Sequence, residues 1–291
     1  MPIFGIHLYP TADSMDPIEA VKAAEERGLD SVSYPEHTHI PVSRRTPFPY
    51  GGELPKHYAE LHDPFIVMAA AAAATQRILL GTGVCLVPEH DPIGLAKQIA
   101  SLDVVSRGRL FLGVGAGWNA EEMENHGSHL KARWPITRER VLAMKEIWNK
   151  TDAEYHGRFV NFDPIWSWPK PLQAGGPPVL LGSTSPKALE RLMSFCDGWY
   201  AADLVSDPGY YARVIGELHR WASRTGRQLE DVHLSIQLGV VEDADRARRL
   251  LDAGFRHLLF SIQPAPADKT LRLLDRYSEL VYALRREYGS R

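Results

Sequence analysis

Five times in this chain an acidic or hydroxyl residue is followed directly by proline at the start of a helix-like stretch: Asp16-Pro17, Asp63-Pro64, Asp91-Pro92, Ser185-Pro186 and Asp207-Pro208. The first residue of such a pair caps free helical amides, and proline suits the first helical position because its missing N–H would be unpaired there anyway. Between these starts lie apolar strand-like runs: Ile3 to Leu8, Ser31 to Tyr34, Ile78 to Val87, the run beginning at Leu110, Val179 to Leu181, Gly198 to Ala201, Val232 to Val241, and His257 to Ile262. Further helical stretches are predicted over Glu139 to Trp148, Asp245 to Asp252 and Lys269 to Tyr288. Strands alternating with helices imply parallel strands joined by crossover helices. Eight such units in 291 residues predict a (β/α)8 TIM barrel with insertions in its βα loops, a single domain over 1–291. An open doubly wound sheet is the second architecture compatible with the pattern.

Two stretches depart from the rhythm. Residues 40–62 are rich in Pro, Gly and His and read as a long loop, while Ala153 to Gln173 reads as an excursion containing a short hairpin. A net charge of −3 gives no electrostatic case for binding nucleic acid or an anionic membrane. The alanine run Ala69 to Ala74 is too short to span a bilayer. The two cysteines, Cys85 and Cys196, have no metal-type spacing, and the chain begins directly with a strand-like run, so a cytoplasmic location is expected.

A barrel places its chemistry on the loops after the strands, here 9–15, 35–62, 84–91, 115–134, 182–185, 202–207, 239–244 and 262–268. The stretch RLFLGVGAGWN, Arg109 to Asn119, is a buried strand that stops at Gly113, Gly115 and Gly117. Glycine there allows close approach of a ligand or of another backbone. Asn119 is the cap of a following helix whose first turn is acidic, with Glu121, Glu122 and Glu124. Gly182, Ser183 and Thr184 precede a helix start and have the composition of a phosphate cradle, although a plain cap also accounts for Ser185. His37, next to Glu36 at a strand end, is the candidate proton carrier. Glu36 would point elsewhere in extended backbone, which also suits it to accept loop amides. A metal reading draws on Glu36, His37, His39, His62, Asp63 and His90, and would make the chain a metal-dependent barrel hydrolase or isomerase.

The stretches PEHTHIP, GGELPKHYAELHDPF, LLGTGVCLVPEHDP, RLFLGVGAGWNAEEMENHG, RERVLAMKEIW and EYHGRFVNFDPIWSWPKPLQAGGPPVLLGST together resemble the luciferase-like monooxygenase superfamily. The branch using coenzyme F420 is the nearer one, with FMN as the alternative cofactor. The resemblance implies an oxidoreductase acting on a small-molecule substrate as a homodimer. It implies that the cofactor ring rests on a bulge in the third strand containing a cis peptide at Gly83–Val84, with Thr82, Gly83 and Val84 as ring contacts. It matches Glu36 and His37 to the family's acidic–His pair after the second strand, as catalytic residues with His37 near the reactive edge of the ring, and has Gly115, Ala116, Gly117 and Trp118 line the next loop. Gly182, Ser183 and Thr184 match the phosphate-binding loop. Members that oxidise sugar phosphates carry a Glu where Trp118 stands, so Trp118 points instead to an apolar or planar substrate wall. Loop 40–62, with Arg44, Arg45, Tyr50, His57 and Tyr58, is placed as a lid.

Overall fold

The computed structural model describes residues 1–205, 207, 209–241 and 244–289. The elements run β1 (Ile3–Leu8), α1 (Pro17–Glu26), β2 (Ser31–Tyr34), α2 (Pro64–Ala74), β3 (Leu79–Leu86), α3 (Pro92–Val105), β4 (Leu110–Gly115), α4 (Ala120–Asn125), α5 (Arg133–Asn149), β5 (Ala153–His156) and β6 (Asn161–Ile165). They continue with β7 (Val179–Leu181), α6 (Ala188–Phe195), β8 (Gly198–Ala202), α7 (Tyr210–Thr225), β9 (His233–Leu238), α8 (Asp245–Ala253), β10 (His257–Ile262) and α9 (Ala267–Tyr288). Eight strands close into a parallel barrel in the order β1-β10-β9-β8-β7-β4-β3-β2. The excursion forms the antiparallel pair β5–β6, which is fastened to α5 because Glu139 accepts bonds from the amides of Arg158, Phe159 and Val160.

Three of the five proline-marked helix starts behave as their chemistry dictates. Asp16 accepts from the amides of Ile18 and Glu19, Asp63 from those of Phe65 and Ile66, and Asp91 from that of Gly94. Ser185 differs: α6 begins only at Ala188, with Lys187 at its cap and no side-chain capping bond. Ser185 instead sits in the turn before the helix, where its carbonyl accepts from the Ala188 amide and its hydroxyl takes a bond from Arg191. Pro208 lies outside the described residues, as do 206 and 242–243 in the predicted loops; α7 begins at Tyr210. Helix α5 starts six residues earlier than the Glu139 expected from sequence, at Arg133. Pro135 falls in its first turn, where a missing amide is tolerated.

The barrel has two differently built faces. Its outer face joins the helices in one apolar core that includes Phe4, Ile6, Val32, Leu80, Leu112, Leu181, Ile236 and Phe260. Its inner face holds a small cluster of Phe111, Leu180, Tyr200 and Leu259, with Leu79 and Val84 against it. Polar side chains share that interior. Ser31 of β2 reaches His257 of β10 at 2.7 Å, although β1 lies between the two strands. Gly5 of β1 makes this possible, since a Cβ there would run into the Ser31 hydroxyl. Among the described residues no helix is long and apolar enough to cross a membrane.

Candidate active site at the barrel mouth

The site begins at an irregularity in β3. Its pairing with β4 shifts register between Thr82 and Cys85, and the Gly83–Val84 peptide is cis. Gly83 and Val84 are half-buried, whereas Gly81, Thr82, Cys85 and Leu86 around them are buried. Thr82 turns into the wall and donates its hydroxyl to the Gly113 carbonyl at 2.7 Å, so its side chain is committed to the sheet. A Cβ on Gly83 would run into the Tyr200 hydroxyl and the His7 ring. A Cβ on either Gly115 or Gly182 would come within 2.5 Å of a Val84 methyl. These two glycines, read from sequence as cofactor contacts, therefore have a first task in seating Val84 at the rim.

Around this bulge stand other half-buried residues: Gly117, Trp118, Gly182 and Ser183, with Thr184 exposed and Ala116 buried. Gly117 has a φ of +73°, a conformation that disfavours side chains. Ser183 accepts the Ser185 amide on its hydroxyl at 3.2 Å and the Trp199 indole N–H on its carbonyl at 2.8 Å. The loop is thereby held open in front of α6, with Arg191 as the nearby cation.

His37 stands at the end of β2 with its side chain only 6 % exposed. Its Nδ1 lies 2.7 Å from Glu122 Oε2, and the Trp118 indole N–H points at its Nε2 from 3.4 Å. A carboxylate at one nitrogen and a donor at the other select the neutral tautomer with its proton on Nδ1, leaving Nε2 as a base facing the mouth. Glu122 comes from the first turn of α4, which Asn119 caps by accepting the Glu122 amide at 3.4 Å. The sequence marked Glu122 only as one of three acids suited to a helix start. Its position three residues after the cap is what turns it inward.

Glu36 faces away from His37. One carboxylate oxygen accepts the Leu86 amide at 2.5 Å and the other meets His90 Nε2 at 2.9 Å. Burial would raise its pKa, but the bonds from His90 and Leu86 outweigh burial and hold it below the usual carboxylate value. Burial works against a charged His90 as well, yet Glu36 lifts its pKa above the ordinary imidazole value. The pair ties the end of β2 to β3, and both Glu36 oxygens are engaged there by Leu86 and His90.

Of the six candidate metal ligands, Glu36 and His90 are brought together, and His37, His39 and Asp63 have other partners. His39 bonds Thr38 and Asn125, Asp63 caps α2, and His37 is engaged by Glu122. Glu36, Cys85 and His90 are the grouped ligand-type side chains among the described residues, and their polar atoms are already bonded to one another and to Leu86.

The long loop after β2 lies along one side of the mouth. Glu121, in the first turn of α4, accepts from the Thr46 amide at 3.0 Å, the Ser43 hydroxyl at 3.2 Å and the Thr46 hydroxyl. Arg45 pairs with Glu124 at 3.0 Å. Rings then run in contact from the barrel interior to the rim: His7 to Tyr9, Tyr9 to His57, His57 to Tyr58, Tyr58 to His37, and His37 to Trp118. Phe48 of the loop closes the set against Tyr58 and Trp118. The mouth thus brings together an aromatic wall, a glycine-bearing rim and one oriented imidazole. It suits a flat ring, because its open residues are backbone and apolar surface while the hydrogen-bonding groups are gathered on one side.

Comparison with known proteins agrees with this architecture. The model of the luciferase-like monooxygenase family matches residues 5–288. An uncharacterized protein of Mycobacterium tuberculosis is 35 % identical over 276 residues, covering 94 % of this chain and 96 % of that one. The F420-dependent glucose-6-phosphate dehydrogenase of Nakamurella multipartita is 28 % identical over 243 residues, 80 % of this chain and 65 % of the relative. The oxygenase component of a flavin-dependent trigonelline monooxygenase from Acinetobacter baylyi is 35 % identical over 131 residues, 44 % of this chain and 36 % of the relative.

Proposed function

The chain belongs to the luciferase-like monooxygenase family, and from that premise we propose that it is an oxidoreductase that binds coenzyme F420 at the barrel mouth and exchanges a hydride with a small organic substrate. One observation carries the reading: at the mouth the buried Glu122 carboxylate holds His37 Nδ1 at 2.7 Å, while Nε2 meets the Trp118 indole N–H across a long 3.4 Å contact that a substrate hydroxyl can replace. When bound, the cofactor supplies the hydride chemistry. The protein's part is to stack the ring, orient the substrate and move the accompanying proton.

His37 Nε2 takes the proton from a substrate hydroxyl, or returns it in the reverse direction. Glu122 then balances the charge on the imidazolium, as an oriented carboxylate does in other acid–base sites. Gly83, Val84 and Gly117 offer the backbone surface on which a flat ring would rest, and Ser183 and Thr184, with Arg191 nearby, would meet its phosphate. Trp118, Phe48 and Tyr58 form an aromatic wall that favours an apolar or planar substrate over a sugar phosphate.

The flavin-dependent relative makes FMN the competing cofactor. Fluorescence titration with both cofactors decides between them. Binding of F420 at least tenfold tighter than FMN is the expected result; preference for FMN would overturn the F420 reading and leave the family assignment intact.

A further inference from the structure

Behind His37 and Glu122 lies a second acid that the mechanism above leaves unused. Glu89 follows β3, and its side chain is 1 % exposed. Neither of its carboxyl oxygens has a hydrogen-bond partner, and the outer oxygen of Glu122, Oε1, also has none. A buried carboxyl group without partners costs free energy, so its retention asks for a reason.

Its surroundings supply one. On one side Glu89 Oε1 lies under the mouth loop, 3.6 Å from where a Cβ on Gly117 would stand, and that loop leads directly into the first turn of α4 that carries Glu122. On the other side Glu89 lines a cavity of about 370 Å³ that reaches the surface between the start of α3, α5 and the β5–β6 hairpin. His90, His126, Arg140, Phe159 and Asn161 share that lining. This space holds several water molecules by volume, taking roughly 30 Å³ for each. His126 Nε2 stands 3.9 Å from Glu89 Oε2 and bonds the Thr38 hydroxyl at 2.8 Å, at the edge of solvent. Arg140 donates to the Val87 carbonyl at 3.0 Å, and its Nε is unpaired.

We propose that Glu89 is a proton-relay residue, joining the cavity between α3, α5 and the hairpin to the His37–Glu122 pair at the mouth. The inference rests on the reading of His37 as the proton-handling group. In the forward direction a proton taken up at His37 Nε2 leaves the ring from Nδ1 to Glu122 Oε2. The protonated Glu122 carboxyl then turns from His37 to make a hydrogen bond to Glu89 and hands over that proton as Glu89 releases its own toward His126 or cavity water. One proton enters at the mouth, one leaves at the cavity, and no electrons move. The reverse sequence delivers a proton to His37.

The electrostatics fit this role. Burial, then the carboxylates of Glu122 and Glu36, push the Glu89 pKa up to about 9, so the acid holds a proton at neutral pH. Burial lowers the His126 pKa, which keeps its ring neutral and able to accept.

The test uses the cofactor-free protein and solvent deuterium as the probe. Infrared spectra at pH 7 are expected to show the C=O stretch of a buried carboxylic acid that disappears in Glu89→Gln. Nitrogen-edited NMR then follows exchange of the His37 Nδ1 proton with solvent. Glu89→Gln fills the same space without passing a proton, and is expected to slow that exchange tenfold or more. Glu89→Asp, which keeps the acid, is expected to restore part of the rate. Absence of the infrared band in the wild-type protein, or equal exchange rates in the wild-type and Gln proteins with the His37 ring signals unmoved, overturns the relay. Neither readout depends on cofactor or substrate. Failure of the F420 reading appears instead in the cofactor titration, and the two failures are distinguishable.

Discussion

The interior of the barrel and its mouth both bury histidine, and they treat it in opposite ways. In the interior, His257 bonds the hydroxyls of Ser31 and Ser235, and His7 sits against Ser33 and Tyr200. These partners satisfy the rings without stabilising a positive charge, and burial pushes both pKa values down to about 3. At the mouth, His37 is almost as deeply enclosed, but its partner is the Glu122 carboxylate. An anionic partner stabilises imidazolium and a hydroxyl does not, so of these three rings His37 is the one equipped to carry a proton through a reaction cycle. Depth of burial says little about the role of a histidine; the charge of its partner says more.

Variants at the two places are the strongest way to break this contrast. His37→Ala is expected to lower turnover by about 100-fold or more, the scale of a lost acid–base group, with cofactor affinity changing far less. Unchanged turnover in a steady-state assay would remove His37 from the chemistry. His257→Ala is expected to do the reverse: about 2–4 kcal/mol lower unfolding free energy from the cavity and the stranded hydroxyls, with activity per folded molecule retained.

Acid sharpens the same comparison. His7 and His257 have folded pKa values below the ordinary 6.5, so each contributes stability that is present above about pH 6.5 and is lost as pH falls toward about 3. The expected slope is about 1.4 kcal/mol per pH unit for each ring, read from denaturant melts between pH 7 and pH 5. His257→Gln should remove its half of that slope; a slope unchanged by the substitution would contradict the assignment of a neutral interior histidine.

Glu89 has the opposite sign. Its folded pKa of about 9 lies above the ordinary 4.5, so its contribution is fully present below pH 4.5 and is lost as pH rises through the folded value. Keeping this acid buried at pH 7 therefore costs stability, and Glu89→Gln is expected to raise unfolding free energy there by roughly 1–3 kcal/mol, with little effect near pH 4. A destabilised Gln variant at pH 7 would show that the acid is paired after all. The smallest effect is expected from Trp118→Phe, which keeps the aromatic wall and deletes the N–H pointing at His37 Nε2. A change in turnover of less than about tenfold is expected for loss of one long hydrogen bond; a loss comparable to that of His37→Ala would give the indole a direct chemical role.

Much of the scaffold was legible because its causes are local. Asp16, Asp63 and Asp91 cap the helices that their neighbouring prolines begin, and the apolar runs fall in the strands that close the barrel. The Ser185-Pro186 pair misled because a turn intervenes before α6, and the pair itself does not encode the length of that turn. In the site, His37 could be picked out from its place after a strand, and the Gly83–Val84 irregularity inside β3 only from the resemblance to the luciferase-like family. The partner of His37 could not, because Glu122 is 85 residues away and looks like any acid in a first helical turn.

What the sequence determined by itself was the alternation of strands and helices, the caps that start several of them and the strand ends where a site would form. Those properties depend on residues within a few positions of one another. Tertiary structure alone decided which acids face which histidines, that Gly115 and Gly182 make room for Val84, and that Glu89 lies between a cavity and the mouth. Each of these follows from closing the barrel, which brings loops far apart in the chain to one rim and excludes water from the groups between them.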